Sequence, residues 1–145
     1  MRALKQLVRF GWEQALSCLF PVVIFASLAF TQVMPMPFLP RYDWLFIICL
    51  LMQWLMVRSG LETRNELKVI TLFHLIGLAL ELFKVHMGSW SYPEEGYFKI
   101  FGVPLYSGFM YASVASYLCQ AWRRFKVELV KWPPFLVVVP LAAAI

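Results

Sequence analysis

Apolar residues fall along this chain in long unbroken stretches separated by short polar ones, the pattern of membrane-spanning helices. The first uncharged stretch, 14–40, is long enough to span as 15–33 at ~1.5 Å per residue, and Pro35, Pro37 and Pro40 mark its end. A second span, 42–57, is short, so Arg41 and Arg58 are expected to snorkel while Tyr42 and Trp44 sit at the interface. A third runs over 67–86 and a fourth over 103–122. A fifth begins near Pro134 and ends at 145, too short for the ~30 Å hydrocarbon layer. The pattern predicts an all-α fold, a polytopic transmembrane helix bundle with four full spans plus a truncated fifth. It reads as a single membrane domain over 1–145, and as a fragment of a longer one. A cleaved signal peptide is the rival for the first span, since Arg2, Lys5 and Arg9 precede it and Ser27-Leu28-Ala29 offers a small-residue site. Glu13 and the length of the run favour a retained helix.

Composition agrees with the pattern. Of the 145 residues 61% are hydrophobic and 14% charged, with a mean hydropathy of +0.70, whereas a soluble domain carries about 25% charged residues. A disordered chain, a coiled coil and a disulfide-stapled domain are excluded on the same grounds. The net charge of +5 points to topology rather than to nucleic acid, because the cations cluster between apolar runs. Ten of them (Arg2, Lys5, Arg9, Arg58, Arg64, Lys68, Arg123, Arg124, Lys126 and Lys131) fall on one side, and three (Arg41, Lys84 and Lys99) on the other. The positive-inside rule then puts the N-terminus in the cytoplasm, 87–102 on the outer side, and the chain as a multi-pass protein of a bacterial inner membrane. Cys18, Cys49 and Cys119 each lie within an apolar run and read as small hydrophobes, so neither a disulfide, a metal centre nor a cofactor is expected.

The third span carries a group of ionisable residues, and burying a charge in lipid costs about 2.5 to 3.5 kcal/mol on insertion scales. Glu81 follows His74 by seven residues, about 700° of rotation, so both lie within about 20° on one helix face. Lys84 stands three residues past Glu81, in reach of an ion pair. His86 points to another face at the outer end. The structural reading is that Glu81 and Lys84 neutralise each other and His74 bonds a backbone carbonyl. The functional reading makes Glu81, Lys84, His74 and Glu94 the candidate catalytic residues.

The segment 87–96 is rich in aromatic residues, glycine and carboxylates, with Trp90, Tyr92, Glu94 and Glu95. Gly88, Gly96, Gly102 and Pro104 would let the backbone fold back as a cap over an intramembrane pocket. Trp90 and Tyr92 alternatively form an interfacial belt, and Glu94 and Glu95 solvated loop charges. Tyr106, Tyr111 and His86 complete the candidate substrate-binding set. In the fourth span Gly108, Ala112, Ser116 and Cys119 form a small-residue stripe suited to close helix contact, including a homo-oligomer. Tyr106, Ser113 and Tyr117 fall near another line and face either the pocket or the packing. Thr63 with Glu66 reads as a capping box at the start of the third helix.

The motifs Glu62-Thr63-Arg64-Asn65-Glu66-Leu67-Lys68, Phe73-His74-Leu75-Ile76-Gly77 and Glu81-Leu82-Phe83-Lys84 stand in series with Gly88-Ser89-Trp90-Ser91-Tyr92-Pro93-Glu94 and Gly102-Val103-Pro104-Leu105-Tyr106-Ser107-Gly108-Phe109-Met110-Tyr111. In that order they resemble a bacterial integral membrane family catalogued as domain of unknown function 817, over essentially the whole chain. The resemblance implies no activity. It does imply several further spans, with a segment holding adjacent histidines and an aspartate. Glu81, Gly88, Trp90, Tyr92 and Gly102-Val103-Pro104-Leu105 also resemble a pattern in carotenoid hydratases and lycopene-cyclase-type membrane proteins. That likeness implies an acid that protonates a polyene.

Three functions remain open on these residues. An intramembrane enzyme would act on an isoprenoid or other lipidic small molecule, with Glu81 kept protonated as general acid and Trp90, Tyr92, Tyr106 and Tyr111 facing a developing cation. A proton-coupled transporter or channel would run a polar path through His74, Glu81, Lys84 and His86. An assembly or scaffold protein would use the stripe of the fourth span. The lipid bilayer is the common partner, and no nucleotide loop or Ser-His-Asp arrangement points to a hydrolase or an ATP-driven pump.

Overall fold

In the computed structural model, which describes residues 2–34, 36–131 and 133–144, the chain is mainly helical, with one small hairpin and irregular connections, the longest of which is 87–98. The elements are α1 (Arg2–Ser17), α2 (Leu19–Val33), α3 (Arg41–Arg58), α4 (Arg64–His86), β1 (Lys99–Ile100), β2 (Val103–Pro104), α5 (Tyr106–Phe125) and α6 (Phe135–Ala143). Pro35, one of the three prolines expected to close the first span, lies outside the described residues.

By length and composition one helix, α4, can cross a membrane; α1 and α2 pass the same test only as a pair bent by 58°. The expected first span is thus two helices that part at Cys18. The cause is Pro21: it has no N–H to give the carbonyl of Ser17, and its ring crowds that carbonyl, so the helix cannot run straight through. The fourth span also starts later than expected. Val103 and Pro104 pair antiparallel with Ile100 and Lys99, around a turn in which Phe101 (φ 46°) and Gly102 (φ 84°) both adopt left-handed backbone, the pairing favoured in two-residue hairpins. α5 therefore begins at Tyr106.

α5 is the axis of the fold, touching α1, α2, α3 and α4. The small-residue stripe explains how. Gly108 and Ala112 lie on α5, and a Cβ on Gly108 would sit 2.7 Å from the backbone oxygen of His74 on α4. The reverse intimacy occurs at Gly77 of α4, where a Cβ would fall 2.3 Å from Tyr111 Cδ2. Close approach of this kind needs residues without side chains. The main core gathers Phe20 and Ile24 of α2, Cys49, Met52 and Met56 of α3, Ile70 of α4, and Phe109, Ala112 and Ala115 of α5.

The capping box at the head of α4 is present: Thr63 Oγ1 accepts from the Glu66 amide at 3.2 Å, and the Thr63 amide donates to Glu66 Oε2 at 2.7 Å. Tyr42, expected at the interface, is instead buried in a second core with Leu45 and Tyr106, while Trp44 is half-buried, its indole donating to the Pro37 carbonyl.

Candidate functional site

α4 carries Glu81 one turn before its C-terminal end, facing α5 and the 87–98 segment that folds back beside it. The residue is 1% exposed. Oε1 accepts from Lys84 Nζ at 2.6 Å and from the Tyr111 hydroxyl at 2.8 Å, and Oε2 accepts from the Tyr92 hydroxyl at 2.8 Å. The ion pair expected from the (i, i+3) spacing is therefore made, with two tyrosines added. Three donors converging on both oxygens form a setting for a carboxylate anion. The lysine ammonium also lies 5.7 Å from the Trp90 ring centroid, an additional cation–π contact. Burial and the neighbouring Glu81 carboxylate together push the Tyr92 phenol above its ordinary pKa, which keeps it a donor.

The segment that brings Tyr92 here is held by three charged residues of other elements. Asp43, fully buried in the first turn of α3, accepts the Phe98 amide on Oδ1 and the Tyr97 amide on Oδ2, both at 2.9 Å. Lys99 donates to the carbonyls of Tyr92 and Glu94 at 2.9 and 3.0 Å. Arg41 binds Glu94 Oε1 at 2.7 Å and reaches back to Thr31 Oγ1 and the Leu28 carbonyl on α2. Beneath them the Tyr42 ring meets that of Tyr92 edge to face at a centroid distance of 5.9 Å and that of Tyr106, tilted, at 5.4 Å. The result is a clasp that covers the end of the bundle and delivers one phenol to Glu81.

Of the expected site residues, Glu81, Lys84, Trp90, Tyr92 and Tyr111 meet in one cluster, with Tyr106 one ring further on. Glu94 is drawn away to Arg41. His86 is exposed at the end of α4. His74 sits two turns below, its ring 4.4 Å from that of Phe109.

His74 belongs instead to a cleft of about 290 Å³ between α3, α4 and α5, whose other walls include Phe46, Leu50, Gln53, Ile70 and Phe109. Two polar atoms of its lining residues, His74 Nδ1 and Gln53 Oε1, are buried with no hydrogen-bond partner among the described residues. Buried groups of this kind are uncommon in folded proteins and mark a place where a partner fits.

Behind Gln53 runs a polar chain that the sequence reading missed. Gln53 Nε2 and Ser116 Oγ donate to the two oxygens of Glu62. Gln120 Nε2 donates to Ser116 Oγ at 3.3 Å, Arg124 to Gln120 Oε1 at 3.3 Å, and Arg124 again to Glu13 at 2.7 Å. Arg124 can only donate, so Gln120 turns its oxygen to Arg124 and its NH₂ to Ser116, and Gln53, whose NH₂ is on Glu62, leaves its oxygen unbonded. Glu62 is 2% exposed, and burial pushes its carboxyl pKa above the ordinary value, against the two hydrogen bonds that lower it. A glutamine inside the apolar run of α3 and a glutamate just outside a capping box were the available signals. Charge patterning alone does not show that Glu62 is buried. No group of three or more metal-ligating side chains occurs among the described residues.

A family model described as "Protein of unknown function (DUF817)" matches residues 6–145. A protein of Bacillus subtilis strain 168 described as "Uncharacterized protein YoaT" is 88% identical over 145 residues, which is 100% of this chain and 55% of that relative. The chain thus spans about half the length of the curated relative it matches. No solved structure matches it.

Proposed function

We infer, for a chain that belongs to the DUF817 family of proteins of unknown function, that it is a membrane-embedded helical domain that holds a lipidic molecule in the cleft between α3, α4 and α5. The cleft carries this reading. Its walls are aromatic and aliphatic, its volume of about 290 Å³ stands near the lower end of small-molecule sites, and two orphaned polar atoms belong to its lining.

The membrane part draws support from α4. Only 17% of its apolar window is buried, and Leu72, Leu75, Ile76, Leu80 and Phe83 are exposed. A helix of this composition at the core of a soluble protein would hide those side chains. The wider arrangement of four spans with a cytoplasmic N-terminus, in a bacterial inner membrane, rests on the charge asymmetry of the sequence.

Chemistry on the bound molecule falls in this reading to His74, the titratable side chain that lines the cleft. Glu81 serves as the anchor of the clasp, because both of its oxygens are already engaged. Purification of wild-type protein and of Leu50→Trp, which fills the mouth of the cleft, followed by mass spectrometry of retained lipids, tests the reading. A lipid held by wild type and lost from the variant is expected. Identical lipid profiles would sink the proposal, as would release of the protein from membranes by alkaline carbonate.

A further inference from the structure

Along α1 the side chains divide into three strips. One strip packs on the C-terminal half of α5: Phe10 meets the Phe125 ring at 5.2 Å, Glu13 pairs with Arg124 at 2.7 Å, and Gln14 donates to the Tyr117 hydroxyl at 2.7 Å. A second strip, Leu4, Leu7, Val8 and Trp12, recurs at helical spacing on another side, and each of the four is 64% to 66% exposed. The third is basic: Arg2, Lys5 and Arg9 flank the apolar strip, and Leu4, Lys5, Val8, Arg9 and Trp12 line one shallow surface groove. The recorded ion pairs of the described residues include none of these three cations.

We propose that this face of α1 docks on the anionic headgroup layer of the membrane, lying along the surface while α2 departs from it. An apolar strip bordered by cations, with a tryptophan at its edge, is the pattern of helices that rest in the headgroup region. Charge complementarity selects an anionic surface. The head of α4 and the end of α5 lie at the same end of the bundle, as the contact of Arg123 with Glu66 and the Leu61 carbonyl establishes, and they add Arg64 and Lys68. Of the acids there, Glu13 and Glu66 are spent on Arg124 and Arg123. Geometry agrees with composition. α1 and α2 together are about 48 Å long at ~1.5 Å per residue, more than the ~30 Å hydrocarbon layer, and the 58° bend lets α1 leave the direction of α2. The inference rests on the membrane reading of the preceding section but not on its cleft.

Hydrogen exchange of the protein reconstituted in vesicles of phosphatidylcholine alone, or with phosphatidylglycerol added, tests the proposal. Amides of 2–17 should exchange several-fold more slowly with the anionic lipid. Lys5→Gln with Arg9→Gln should remove that difference, and Val8→Ser with Trp12→Ser should raise exchange in both lipids, while peptides from α4 stay unchanged as a control on folding. Equal protection in the two lipids would overturn the proposal. Protection that persists in detergent would also overturn it, by assigning the face to a protein partner or a second copy. Failure of the chain to enter vesicles at all would overturn the membrane reading and this inference with it, whereas loss of the cleft ligand alone would leave it standing.

Discussion

Tyr111 lays its ring against the backbone of Gly77 and carries its hydroxyl on to Glu81 Oε1 at 2.8 Å, one turn further along the same helix. The first contact makes the second possible. A Cβ at position 77 would stand 2.3 to 2.6 Å from three atoms of Tyr111, so any side chain there pushes the phenol away from the carboxylate.

Gly77→Ala should therefore destabilise the protein by about 1–3 kcal/mol, the usual cost of overpacking. In a helix without such a neighbour the same change would stabilise by up to about 1 kcal/mol. Thermal unfolding in detergent reads the sign, and combining the change with Tyr111→Ala should recover most of the loss. A stabilised Gly77→Ala would show that α4 and α5 do not meet at this point.

Tyr92→Phe removes one of the three donors on Glu81 and should cost about 1.5–3 kcal/mol, the range for a hydrogen bond to a charged group. Its effect should concentrate in the 87–98 segment, seen as faster limited proteolysis there than in the helices. Glu81→Gln should loosen the same segment and release Lys84, whose side chain is 41% exposed and can rehydrate. A segment no more susceptible in either variant than in wild type would argue that Asp43 and Lys99 hold it unaided.

Asp43→Asn leaves one carboxamide oxygen where two oxygens receive the Tyr97 and Phe98 amides. One N–H then faces an NH₂ group, at a cost of about 1–3 kcal/mol. Hydrogen exchange should quicken at Tyr97 and Phe98 before it does so in α3. Unchanged exchange at both amides would contradict this anchoring role.

Glu62 offers a pH test. Burial raises its pKa in the folded chain, so the protonated form is favoured there. Its contribution to stability is complete below the unfolded carboxyl pKa of about 4.3 and is lost as pH rises through the higher folded value. Glu62→Gln cannot lose a proton, so the melting temperature of the variant relative to wild type should climb between acid and neutral pH. A difference that stays flat, or that falls, over that interval would refute the assignment.

Much of this molecule was legible in single stretches of sequence. The run from Leu67 to His86 predicts a helix because it is long, apolar and free of breakers, and Thr63 with Glu66 marks where it starts; α4 follows both. The (i, i+3) spacing of Glu81 and Lys84 predicts their pair, since neighbours on a helix are set by its pitch alone. The small residues at 108, 112 and 116 predict a close helix contact. Gly108 packs against His74 of α4 in the same chain, and Ser116 is bonded to Glu62 just ahead of that helix. The break at Cys18 was also written locally, in Pro21, but the apolar run concealed it.

Distances between elements were decided elsewhere. Glu81 and Tyr92 are close because Arg41 and Asp43 at the head of α3, with Lys99 of β1, tie down the segment that carries Tyr92. The burial of Glu62 is not legible locally, because it depends on Gln53 and Ser116, which reach it from α3 and α5. Periodicity fixes the directions of side chains on one helix and is silent about which helix lies opposite. The sequence by itself determined the helices, their apolar surfaces and the pairs within a turn of each other. Only tertiary packing decided which polar groups were paired, and left Gln53 Oε1 and His74 Nδ1 without partners at the cleft, since burial and hydrogen bonding across helices are properties of the assembled bundle.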